Sequence, residues 1–81
     1  MILEIPLSEL DIGRKAKISR ILGKGAARRR MIDMGMTRGS EVEIIRKAPM
    51  GDPIDIRVKG YHLTMRKAEA EQIIVTVDES S

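Results

Sequence analysis

The side chains able to hold a metal or move a proton are few. His62 is the single imidazole, there is no cysteine, and the acids in its half of the chain include Asp52, Asp55, Glu69 and Glu71. Oxygen-rich sets with one nitrogen suit a hard or borderline divalent cation, so these five residues are the candidate metal ligands. No spacing among them is diagnostic, and a solitary surface imidazole is the simpler account of His62. Catalysis has less to work with. Without cysteine, and with no evident nucleophile and orienting acid beside His62, the chain is not expected to be an enzyme. Gly23-Lys24-Gly25 opens a helical stretch and could cradle phosphate, but the full spacing of a phosphate loop is missing, so phosphate binding is not expected either.

A second set of residues suits contact rather than chemistry. Met31, Met34 and Met65 fall at helical or strand spacing and are assigned to the core. Met36 and Met50 stand in or beside glycine-containing loops, where an apolar side chain is expected at the surface. Pro49, Met50 and Pro53 make a stiff apolar loop tip, suited either to docking at low entropic cost or to folding over the end of the barrel. Arg28, Arg29 and Arg30 follow one another, and residues ~100° apart fan around a helix instead of forming one stripe, so nucleic-acid binding is not expected. Cations near a helix N-terminus oppose its dipole by about 0.3 to 1 kcal/mol each, a cost that an acidic partner would offset. The candidate partner-binding residues are therefore Arg28, Arg29, Met36, Pro49, Met50 and Pro53.

These residues need elements to hold them. Pro6 to Gly13 reads as a helical turn stopped by glycine, with Leu7 and Leu10 on one side. Lys15 to Ile21 begins as a half-buried strand with Ala16 and Ile18 inward, and Ile21 breaks the parity as a bulge would. Ala26 to Met34 favours helix, with Ala27, Met31 and Met34 on one face and Gly35 as its stop. Glu41–Ile44 and Ile54–Val58 alternate on either side of the turn-rich Ala48–Pro53 segment and are expected to pair, with Glu41, Glu43, Arg57 and Lys59 outward. Tyr61–Met65 follows a turn at Gly60, a brief helical turn spans Arg66 to Gln72, and Ile73 to Val77 is the last strand. The pattern predicts a mainly β domain over residues 1–77, a small closed barrel of about five strands with one helix between the first two, and a frayed tail at 78–81.

Composition sets outer limits. With 81 residues there is room for one small core, and Tyr61 is the only aromatic residue. No run approaches the roughly 18 apolar residues of a membrane span, and the start lacks the basic region and apolar run of a signal peptide, so a cytoplasmic, uncleaved chain is expected with no direct membrane insertion. The net charge of +3 hides an asymmetry: from Ile12 to Ile32 there are eight Lys or Arg residues and no acid. Acids gather late, at Glu69, Glu71, Asp78 and Glu79, so a basic side and an acidic side could orient a charged partner.

Two segments carry a specific likeness. RRRMIDMGMTRG, from Arg28 to Gly39, and KAPMGDPIDIRVKGYHLTMRKAEAEQIIV, from Lys47 to Val75, resemble the FeoA family in order and across nearly the whole chain. The resemblance implies an SH3-like barrel, a cytoplasmic location in a bacterial cell, and association with FeoB, the membrane ferrous-iron transporter with a cytoplasmic GTPase domain. A non-enzymatic accessory role in ferrous-iron uptake follows from it. Two further readings fit the same residues. One is a metal-responsive domain holding ferrous iron, or another divalent transition metal ion, directly through the carboxylates and His62. The other is a detached regulator-type SH3-like domain, since a similar barrel closes some iron-dependent repressors; the free-standing length and the lack of a DNA-binding helix pair favour the transport accessory.

Overall fold

Branched aliphatic residues pack well on a pleated surface, and each alternating run of them becomes a strand here. A computed structural model describes residues 1–78. In order they form β1 (Ile2–Pro6), a single 3-10 turn (Leu7–Glu9), β2 (Lys15–Ile21), α1 (Gly25–Asp33) and β3 (Glu41–Lys47). Then come β4 (Ile54–Val58), β5 (Tyr61–Met65), α2 (Lys67–Ala70) and β6 (Ile73–Asp78). The strands make one antiparallel sheet in the order β1-β6-β2-β3-β4-β5. Ala16, Ile18, Val42, Ile44, Ile56, Val58, Val75 and Val77 point into one core, which Leu7 and Leu10 cap from the 3-10 turn.

Two details differ from expectation. The mainly β fold is as expected, with six strands where about five were expected, and the ladder stays open with β1 and β5 as its edges. The extra strand, β1, has no alternation to reveal it, because Met1, Ile2, Leu3 and Glu4 are all exposed. Its pairing with β6, from Ile2 opposite Asp78 to Pro6 opposite Ile74, joins the two ends of the domain and is encoded by no local pattern. Pro6, which has no N–H to give, stands at the end of this edge strand, where it costs least. Of the tail expected at 78–81, Asp78 closes β6 and residues 79–81 lie outside the described residues.

Local chemistry accounts for the connections. The register of β2 against β6 shifts between Ile18 and Arg20, the bulge that the parity break at Ile21 announces. A second shift, between Ile44 and Arg46, lets β3 run on to Lys47. The β4–β5 hairpin turns on Lys59 and Gly60, both at positive φ (50° and 81°), the backbone of a two-residue type I′ turn. Glu43 lies directly opposite Arg57, and their charged groups approach to 3.6 Å on the outer face.

Candidate docking site

The Ala48–Pro53 loop is built as a tight turn. The Gly51 N–H donates to the Ala48 carbonyl at 2.7 Å, which puts Pro49 and Met50 at the two central positions, where the fixed φ of proline suits the first. The Ala48 N–H closes the base of the loop by donating to the Pro53 carbonyl at 3.1 Å. Met50 is thereby held at the tip, 88% exposed. Pro49 beside it is exposed, and Pro53 is half-buried at the base.

Asp52 fastens this loop to the rest of the molecule. One carboxylate oxygen accepts the Lys67 N–H at 3.0 Å and the other accepts from the Arg66 guanidinium at 3.1 Å. The first N–H groups of a helix lack intrahelical partners, so Asp52 caps α2 from fourteen or fifteen residues upstream. Glu69 completes the cap: one oxygen accepts the Arg66 N–H at 2.9 Å, and the other lies 3.7 Å from the Arg30 guanidinium on α1. A continuous path of contacts therefore runs from α1 through α2 to the loop. It links Arg30 of the arginine helix to Asp52 at the base of the Pro49–Met50 turn.

On α1, Arg28, Arg29 and Arg30 are all exposed, no acid lies in the first turn, and the Lys24 side chain does not cap it. Arg30 has Glu69, whereas Arg28 and Arg29 pair with no carboxylate among the described residues. The helix ends in a Schellman motif. Gly35, at φ 98°, donates its N–H to the Ile32 carbonyl, and Met36 donates its own to the Met31 carbonyl, each at 3.0 Å. The residue after the motif's glycine characteristically packs back on the helix, and Met36 does so. It is wholly buried in the core with Met31, so the expectation of an exposed Met36 at a docking surface is corrected. Met31 and Met65 are core as expected and Met34 is half-buried, while Ala27 is exposed.

The candidate metal ligands do not converge. Among the described residues no three of His, Cys, Asp or Glu gather closely enough to hold an ion. Asp52 and Glu69 are taken up by the start of α2, and Glu71 is exposed beyond its end. Asp55 is nearly buried on β4: Thr64 donates to one of its oxygens at 2.8 Å, and the Arg46 guanidinium donates twice to the other, at 3.1 and 2.9 Å. The Thr64 hydrogen bond first, and the Arg46 guanidinium next, hold its carboxyl below the usual range. His62 Nε2 stands 3.9 Å from the oxygen that Arg46 occupies, an ion pair only when the imidazole is protonated. Arg46, Thr64 and Arg66 are the functional partners that sequence reasoning passed over. Arg46 faces Asp55 and Asp55 faces Thr64 across the ladder, a signal hidden by the bulge beside Arg46.

Comparison with known proteins sharpens this picture. The chain is 35% identical over 75 residues to an Fe(2+) transport protein A/Fe(2+) transporter FeoB fusion protein of Porphyromonas gingivalis, a match covering 93% of the chain but only 9% of that protein. The structure superposes on a FeoA-like protein from Clostridium acetobutylicum with a TM-score of 0.82 and 47% identity, covering 89% of this chain and 84% of that one. It is also similar to Stenotrophomonas maltophilia FeoA, a prokaryotic SH3-domain protein complexed with zinc, with a TM-score of 0.77 and 26% identity over 91% of this chain and 96% of that one. The FeoA domain model matches residues 5–77, and with an SH3-like fold over nearly its whole length the chain belongs to the FeoA family.

Proposed function

We propose that this domain acts in ferrous-iron transport as a non-enzymatic accessory that docks onto FeoB on the cytoplasmic side and modulates it. One observation carries the reading: in the Porphyromonas fusion protein, a domain 35% identical to this chain shares a polypeptide with FeoB. Covalent joining raises the effective concentration of one module at another to about the millimolar range, which profits only modules that meet. No helix among the described residues is long and apolar enough to cross a membrane, as suits a domain that reaches the transporter by docking.

The surface formed by α1, α2 and the Ala48–Pro53 loop supports this reading best. Its tight turn presents Met50 at low backbone entropic cost, and Arg28 and Arg29, which pair with no carboxylate among the described residues, await an acid. Ferrous iron is then the transporter's cargo rather than a resident of this domain, in keeping with the engagement of Asp52, Asp55 and Glu69 by the protein itself. Calorimetric titration of the chain with the purified cytoplasmic region of FeoB tests the proposal. Saturable binding that weakens in Met50→Glu supports it, and heats no larger than dilution would overturn it.

A further inference from the structure

Between β2 and the second half of α1, with the Met36–Arg38 segment that follows the helix, lies a cleft of about 320 Å3. Ile18 and Ile21 of β2, Ile32 of α1 and the buried Met36 line it with aliphatic surface, beside the hydroxyl residues Ser19 and Thr37. Arg28 and Arg38 stand on its rim with Arg20, and no acid lines it. Arg20 already has Glu4 at 3.8 Å, but Arg28 and Arg38 pair with no carboxylate among the described residues. Arg20 and Arg28 come from the acid-free run between Ile12 and Ile32, and Arg38 adds a third cation from beyond it.

We infer that this cleft seats an acidic segment of a protein partner, an aliphatic side chain entering between β2 and α1 while flanking carboxylates meet Arg28 and Arg38. The inference rests on the docking reading and gives the partner segment its chemistry. Guanidinium groups pair with carboxylates in a planar, two-pronged geometry, and an apolar floor beneath them rewards a side chain that a bare anion lacks. Both features favour a peptide over a nucleic acid. Single-stranded nucleic acid is gripped by stacking bases on aromatic side chains, and the one aromatic residue, Tyr61, lies on β5, outside the cleft.

The test uses a fluorescein-labelled nonapeptide alternating Leu with Asp and Glu, read by anisotropy against the whole chain. Its controls are a leucine-free acidic peptide of equal charge and a single-stranded DNA of equal charge. Arg28→Glu and Arg38→Glu should each weaken the leucine peptide about tenfold. Lys24→Glu, which makes the same charge change just before α1 and away from the residues that line the cleft, should leave it within about twofold. Arg28→Glu and Lys24→Glu both place an acid near the helix N-terminus, where it is favourable, so loss of fold does not confuse the comparison. Equal weakening by all three variants, equal binding of the leucine-free peptide, or tighter binding of the DNA would each overturn the inference. A parallel titration with cytoplasmic FeoB separates the two readings. Binding by wild type and Arg28→Glu alike keeps the docking proposal and removes the cleft from it; peptide binding without FeoB binding keeps the cleft and removes FeoB.

Discussion

Met36 and Met50 sit in loops fourteen residues apart and carry the same side chain, yet the structure gives them opposite duties. Met36 is 0% exposed and Met50 is 88% exposed. Truncating a buried methionine to alanine removes its transfer energy and leaves a cavity, together about 2 to 5 kcal/mol. Met36 also supplies the apolar contact of the Schellman motif that ends α1, which puts Met36→Ala near the middle of that range, about 3 kcal/mol. A domain of this size has only about 4 to 12 kcal/mol of stability in all. At roughly 4 to 8 °C per kcal/mol, Tm should fall by about 12 to 24 °C. Met50→Ala removes no core contact and should stay within about 0.5 kcal/mol of wild type, while weakening FeoB binding. Thermal melts followed by circular dichroism read both variants side by side. A Met36→Ala melt within about 2 °C of wild type would refute the assignment of Met36 to the core.

Three more expectations follow from the geometry. Lys59 holds a left-handed conformation at the first central position of a type I′ turn, so Lys59→Asn should raise stability by about 0.5 to 1 kcal/mol in urea denaturation, with an unchanged m-value. Asp52→Ala should cost about 1 kcal/mol through the lost cap and speed hydrogen exchange at the Lys67 amide, with β2 exchange unchanged. The Asp55 carboxyl is held below its unfolded-state value, so its contribution is full above the ordinary carboxylate range and is lost as pH falls through the folded value; acid unfolding of Asp55→Asn should show a shallower slope below about pH 4.

What the sequence made legible was what is local. Alternation at Ile54-Asp55-Ile56-Arg57-Val58 named β4, glycine at 35 named the end of α1, and the proline and glycine of Ala48–Pro53 named a turn, while the exposure of Met50 at its tip came only with the structure. The misses share a cause. β1 owes its existence to β6 at the far end of the chain, so its pairing leaves no mark in its own five residues, whereas the apolar stretch from Ile73 to Val77 was legible as a strand. Met36 was misplaced because proximity to Gly35 suggested a surface loop, whereas the glycine's left-handed turn folds the next residue inward. Asp52 and Glu69 looked like ligands for an ion, and their ligands are the N–H groups of Lys67 and Arg66. That economy is visible only when the loop and the helix it caps are seen together.

The central claim is that the surface carrying α1, α2 and the Ala48–Pro53 loop meets the transporter. Backbone amide shifts of the isotope-labelled chain, followed during titration with the cytoplasmic region of FeoB, test it most directly. Saturable shifts should cluster on residues 28–30, 38 and 49–53 and spare the β4–β5 turn at Lys59 and Gly60. Shifts confined to that turn, or none at saturating FeoB, would contradict it.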